Sequence, residues 1–189
     1  MKRFLWFIVL SLVITFVTGC NKTKEAENVV SPRALQVGEY TFEDGIRGWN
    51  PIGKEVVVSQ STEKFHDGKA SLKISGTGKA GLWSLMRSER ISLTPDKHYS
   101  FRGWMLIDSI SSNTSFFKFE LTQEGKWLKN IDSTQYDPKK KSTWQELTGD
   151  FVAPAGKDIA VSITVEKRPM DKDVSAVIYV DSLKLERTD

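Results

Sequence analysis

"HYSFRGWMLI", residues 98–107, decides the fold class. Tyr99, Phe101, Met105 and Ile107 fall on one side of an extended chain, and Ser100, Arg102, Trp104 and Leu106 fall on the other. Successive side chains of a strand point to opposite faces, whereas a helix returns to the same face every three or four residues. A period of two therefore predicts a strand with one face in a core. "DIAVSITVE", residues 158–166, repeats the pattern with Ile159, Val161, Ile163 and Val165 on one side. Working outward, "EVVVSQ", "ASLKIS", "GLWSLM", "SFFKFEL", "WQELTGDFVA" and "AVIYVDSLKLE" are further short strands. Turn-forming residues punctuate them at His66-Asp67-Gly68, Thr94-Pro95-Asp96 and Glu124-Gly125-Lys126. No long segment has a helical period. The pattern predicts an all-β fold, an antiparallel two-sheet β-sandwich of jelly-roll size.

The chain start is of another kind. "MKRFLWFIVLSLVITFVTGC", residues 1–20, has Lys2 and Arg3, an apolar run from Phe4 to Val17, then small residues and Cys20. That is the layout of a secretory leader with a processing site. Its "VTGC" ending resembles a bacterial lipobox, which implies lipidation of Cys20 and a membrane anchor on the extracytoplasmic face of a bacterial envelope. An uncleaved transmembrane anchor is the alternative, since the apolar run is nearly long enough to span a bilayer. Cys20 is the chain's single cysteine, so the exported part has no intramolecular disulfide and depends on its core, helped or not by a metal. Residues 21–36 are polar, broken by Pro32, and read as a flexible tether. The domain proper is expected over 37–189.

Charge excludes one class of partner. The chain has 27 basic and 24 acidic residues, and two of the basic ones, Lys2 and Arg3, lie in the leader. The exported part is near neutral and lacks the basic face that a nucleic-acid binder uses to displace counterions from phosphates. The Lys139–Lys141 run behind Pro138 reads as a solvated loop.

Five stretches in order, "YTFEDGIRGW" (40–49), "HDGKASLKIS" (66–75), "LTPDKHYSFRGWMLI" (93–107), "TWQELTGDFVAP" (143–154) and "VIYVDSLKLE" (177–186), resemble the carbohydrate-binding modules grouped around families 4, 9 and 22. The resemblance covers nearly all of 38–186 and implies a jelly roll that binds a polysaccharide or oligosaccharide without cleaving it. It also implies a structural calcium ion joining the first strand to the last. The side-chain ligands carried over are Glu43 and Asp181, with backbone oxygens around Asp67 and Lys69. Calcium takes six to eight hard oxygens and tolerates mixed carboxylate and carbonyl donors. Without an ion, Glu43 is a surface strand residue, Asp44-Gly45 forms a turn and Asp181 caps a strand end. Asp181-Ser182 stands where the family usually has two acids.

Sugars present apolar faces rimmed by hydroxyl groups, so their sites combine exposed aromatic platforms with a few polar side chains. The chain has six tryptophans. Trp6 belongs to the leader, and Trp49 and Trp144 fall at positions the family packs inside. Trp83, alternating with Leu82, lies where such modules often place a stacking tryptophan. Arg102 and Trp104 face away from Phe101 and Met105. On "SFFKFEL", Phe117, Phe119 and Leu121 are expected in the core and Phe116, Lys118 and Glu120 on the outer face, beside Ser162, Thr164 and Glu166. The candidate ligand-binding set is thus Trp83, Arg102, Trp104, Phe116, Lys118, Glu120 and Glu166, with Trp127 either a loop contact or a lid.

An enzyme is the rival class, because glycoside cleavage needs two carboxylates and Glu120 with Glu166 can share a face. No serine elbow, phosphate loop or cysteine nucleophile accompanies them, and His66 and His98 have no partner motif. The expectation is no catalysis. A protein partner, with the outer face serving as an assembly or adhesion patch, is the alternative to a glycan.

Overall fold

Tyr99, Phe101, Met105 and Ile107 are all buried, on one face of a thirteen-residue strand. The computed structural model describes residues 35–189. The leader, Cys20 and most of the tether lie outside the described residues. Among those described, the strands in chain order are β1 (Leu35–Tyr40), β2 (Trp49–Pro51), β3 (Val56–Ser61), β4 (Ser71–Gly78), β5 (Ser84–Ser88), β6 (Ile91–Ser92), β7 (His98–Ile110), β8 (Phe116–Gln123), β9 (Lys126–Gln135), β10 (Gln145–Val152), β11 (Ile159–Glu166) and β12 (Val174–Arg187).

They form two antiparallel sheets. The first runs β10-β7-β12-β4-β3, with β1 continuing alongside the second half of β12, and the other runs β2-β5-β11-β8-β9, with β6 beside the first half of β11. The fold is the expected jelly-roll sandwich. Its sheet begins earlier than expected: Leu35 and Gln36, read as tether, pair with Arg187 and Glu186 in β12.

Between the sheets an aromatic layer fixes the spacing. Phe101 of β7 meets Phe117 and Phe119 of β8 edge-on at ring-centre distances of 5.1 and 4.8 Å. Phe151 of β10 lies 5.5 Å from Phe119. Edge-to-face arrangements of this kind suit the ring quadrupoles and add to the gain from burial. The strands facing these rings carry glycine where a side chain would collide. A Cβ on Gly103 would stand 2.2 Å from Leu183 and 2.9 Å from Phe101, and one on Gly149 would stand 2.8 Å from Phe119. Trp49 is buried as expected, edge-on to Tyr40 and Phe42 at 5.1 and 5.6 Å. Trp144 is half-buried.

Two departures from expectation bear on the site. β9 is not among the expected strands, because nearly all of its residues face solvent and no alternation shows. Glu124 and Gly125 have φ of 48° and 76°, so they form a two-residue hairpin turn that pairs β9 with β8. β5 starts at Ser84, which leaves Leu82 and Trp83 on the connection after β4 and not on a strand.

Gly103→Ala tests the close packing of the aromatic layer. The added methyl has no room, and such overpacking costs about 1–3 kcal/mol. The expected result is a lower thermal midpoint with unchanged far-UV circular dichroism.

Candidate functional site

The outer face of the second sheet carries an ordered polar array. The β8–β11 register sets Thr164 against Lys118, Ser162 against Glu120 and Ala160 against Thr122. Arg87 of β5 pairs with Thr164 on the far side of β11, and Asp132, Asn130 and Trp127 of β9 pair with Lys118, Glu120 and Thr122. Above this floor lies a cleft of about 910 Å³ whose lining includes Ile52, Leu82, Trp83, Arg87, Arg90, Lys118, Glu120, Thr122, Trp127, Asn130 and Ser162.

Two indoles stand free in it. Trp83 is 58% exposed and Trp127 66% exposed. Trp127 is oriented by its Nε1–H, which donates to Asn130 Oδ1 at 2.9 Å. Trp83 precedes β5 and Trp127 stands on the edge strand β9, with β11 and β8 between those two strands.

The floor is a chain of paired charges. Lys118 is 3% exposed, and its Nζ lies 2.6 Å from Glu166 Oε2 and 3.8 Å from Glu120 Oε1. The Glu166 contact has the distance of an ion pair without the angle of a hydrogen bond. Arg168 Nε donates to Glu166 Oε1 at 3.3 Å, and its Nη2 donates to Asp132 Oδ2 at 3.2 Å. Arg87 Nη2 is 2.7 Å from Glu120 Oε2. Lys118 Nζ also lies 5.8 Å from the Trp83 ring centre, a cation–π distance. A buried charge is costly unless it is paired, and here each charge stands beside one of opposite sign. The cleft thus offers polar edges with little unbalanced charge.

The structure brings together some of the sequence-predicted residues and separates others. Trp83, Lys118 and Glu120 line the cleft. Glu166 was expected on the outer face as a contact; it is 1% exposed and acts beneath Lys118 as its counter-ion. Phe116 was expected to be an exposed aromatic. It is buried, with the Arg168 guanidinium 4.7 Å above its ring. Arg102 and Trp104 do face outward, but from β7, which belongs to the other sheet, so they cannot share the cleft with Trp83. Trp104 is covered by the His66 ring at 3.7 Å, and Trp144 meets the same imidazole edge-on at 5.8 Å. Arg87, Arg90, Asn130 and Thr122 were missed. The Glu124-Gly125 hairpin was the available signal for Asn130, because it fixes what β9 lays beside β8.

The Glu43 and Asp181 carboxylates meet at one turn from opposite ends of the domain. Glu43 Oε1 accepts from the amides of Lys69 and Ala70 at 2.9 and 3.0 Å. Asp181 Oδ2 accepts from those of His66 and Asp67 at 2.7 and 3.1 Å, and Oδ1 from Ser182 at 2.7 Å. A β-bulge after Asp181 in β12 turns this carboxylate toward the turn. Burial raises the Asp181 pKa above the ordinary aspartate value, against the opposing pull of these amides and of His66. Backbone amides of the turn thus partner both carboxylates. The observed bonds present the amides of the turn, not the Asp67 and Lys69 carbonyls, to the carboxylates. Among the described residues no group of three or more His, Cys, Asp or Glu side chains is placed to hold a metal.

The charge network has a measurable signature. Lys118→Met leaves Glu166 with Arg168 alone and is expected to cost roughly 3–5 kcal/mol by chemical denaturation. Lys118→Met/Glu166→Leu, which removes both charges, is expected to recover a large part of that loss.

The description "carbohydrate binding domain" belongs to a family that matches residues 36–172. Endo-1,4-beta-xylanase A of Thermotoga neapolitana is 31% identical over 157 residues, covering 79% of this chain and 14% of the xylanase. The Thermotoga maritima enzyme of the same name is 30% identical over 155 residues, covering 78% of this chain and 13% of its own length. The chain therefore corresponds to a small part of these enzymes. Among solved structures, the CBM22-1 xylan-binding domain of Paenibacillus barcinonensis Xyn10C superposes with a TM-score of 0.60 at 18% identity, covering 82% of this chain and 96% of that domain. The C-terminal family 22 carbohydrate-binding module of Clostridium thermocellum Xyn10B gives 0.58 at 17% identity, covering 81% and 93%. At these identities the superpositions speak for the fold, and with the sequence match they place the chain in the carbohydrate-binding domain family.

Proposed function

We propose that the domain binds a neutral β-linked polysaccharide along the cleft of the second sheet without cleaving it, xylan being the leading candidate. One observation carries the reading: two exposed indoles, Trp83 and Trp127, stand over a polar floor whose charges are already paired. Apolar sugar faces stack on the indoles, and ring hydroxyls exchange hydrogen bonds with Glu120, Asn130, Thr122 and Ser162. The sequence relatives named as xylanases and the similar folds named as xylan-binding favour xylan. Binding without cleavage is supported by the family match and by the pairing of Glu166 with Lys118 and of Glu120 with Arg87.

Titration calorimetry against xylan, mixed-linkage glucan and mannan tests this. Saturable binding is expected, with Trp83→Ala and Trp127→Ala each weakening it roughly tenfold, about 1.4 kcal/mol, while thermal midpoints stay put. Absence of heat with every polysaccharide, from folded protein, would overturn the reading in favour of a protein partner.

A calcium ion at the 66–70 turn is part of the same proposal, with Glu43 and Asp181 as its carboxylate ligands. An ion that binds only the folded form stabilises it by about 2.7 kcal/mol at a hundredfold excess over its dissociation constant. Chelator is then expected to lower the thermal midpoint of the wild type by several degrees and that of Glu43→Gln by less. Equal midpoints with and without chelator would mean that the amide bonds alone hold the turn.

A further inference from the structure

Lys167 is fully buried at 0% exposure, and among the described residues it makes no ion pair with a carboxylate. Its Nζ instead donates to three backbone carbonyls, those of Pro169 and Met170 at 3.1 Å and Leu82 at 3.4 Å. Two backbone bonds run beside it: Lys167 N–H donates to Trp83 O, and Gly81 N–H to Met170 O, each at 2.9 Å. Farther along, Asp173 accepts from the amide of Ala80 at 2.9 Å and from Lys79 Nζ at 3.1 Å. The Nζ bonds to Pro169 and Met170 stay within the connection between β11 and β12, and the others join it to the connection between β4 and β5.

Burying an ammonium group is costly, and an apolar residue in the same space removes that cost. The other buried charges answer to the pleat: Lys118 and Glu166 pair across strands, and Asp181 sits at a bulge. Lys167 lies one residue beyond β11, where no strand ladder demands it. The lysine stem fills the space over Gly78, where a Cβ would come 2.8 Å from Lys167 Cδ. Burial also pulls the lysine pKa below its ordinary value, against Asp173, Asp171 and Glu166, which push it up.

What the ammonium holds is the wall of the cleft. Leu82 and Trp83 precede β5, so no sheet pairing fixes them. The carbonyls of both are bonded to Lys167, one by its side chain and one by its backbone. The residue after it, Arg168, covers Phe116 and pairs with Glu166 under the same wall. We infer that Lys167 is a positioning residue for glycan binding: its ammonium ties the Leu82–Trp83 connection to the β11–β12 connection and so sets where the Trp83 platform stands. The inference rests on the glycan-binding reading given above.

A double-mutant cycle with Lys167→Met and Trp83→Ala tests it, read by xylan titration and by amide hydrogen exchange on the full protein. Lys167→Met is expected to weaken binding roughly tenfold in the wild-type background and by no more than about twofold on top of Trp83→Ala, the non-additivity of residues acting through one another. On top of Trp127→Ala its effect is expected to be undiminished. Exchange at Gly81 and neighbouring amides is expected to accelerate in Lys167→Met while the β8 and β11 amides keep their protection. Equal losses in the Trp83→Ala and wild-type backgrounds, or unchanged affinity, would overturn the role. If the wild type binds none of the polysaccharides, the exchange data still decide: unchanged protection of residues 79–83 refutes the tie, and lost protection there upholds it while the glycan reading fails. Should Lys167→Met not fold, Lys167→Gln takes its place in the cycle. Failure of both to fold would make Lys167 a residue of general stability and overturn the positioning role.

Discussion

The pairing of β8 with β11 is the constraint on which the molecule depends. In these two strands the pleat sorts residues by parity. Phe117, Phe119 and Leu121 with Ile159, Val161, Ile163 and Val165 go to the core, and Lys118, Glu120 and Thr122 with Ser162, Thr164 and Glu166 go to the other face. A slip of β8 by one residue would exchange its two sets, placing its phenylalanines in water and Lys118 with Glu120 between the sheets. The register that builds the aromatic layer is therefore the register that builds the floor of the cleft. Fold and site are specified together.

Around this strand pair several buried charged groups have internal partners. Lys118 and Glu166 neutralise each other, Asp181 and Glu43 take amides of the 66–70 turn, and Lys167 takes carbonyls of two connections. Each arrangement joins segments distant in sequence, and the described residues include no disulfide. Charge-assisted hydrogen bonds are stronger than neutral ones and directional. Here they fix connections that hydrophobic burial, which has no direction, leaves undetermined.

Exposure of aromatic groups follows from what covers them. Trp104 leaves the core side of its strand but lies under an imidazole, and Phe116 joins the core with a guanidinium over its ring. Trp83 and Trp127 escape cover because one stands on a connection at the cleft wall and the other on the edge strand β9. An aromatic side chain that pays no packing role elsewhere and is left bare at a cleft is the group suited to a ligand with an apolar face.

The sequence by itself determined eight of the strands, the inward residues of β7, β8 and β11, and the sandwich they make, because alternation is a local property that five or six consecutive residues can display. It also placed Lys118 and Glu120 on an outer face. Only the tertiary structure decided which outer faces meet. Arg102 and Lys118 both point outward by parity, but β7 and β8 belong to different sheets, and that assignment depends on partners remote along the chain, such as Thr164 for Lys118 and Lys184 for Arg102. β9 escaped notice because it is an edge strand with almost no buried face to give it a period. The place of Trp83, finally, is set by bonds from Lys167 across a sequence separation that no local pattern encodes.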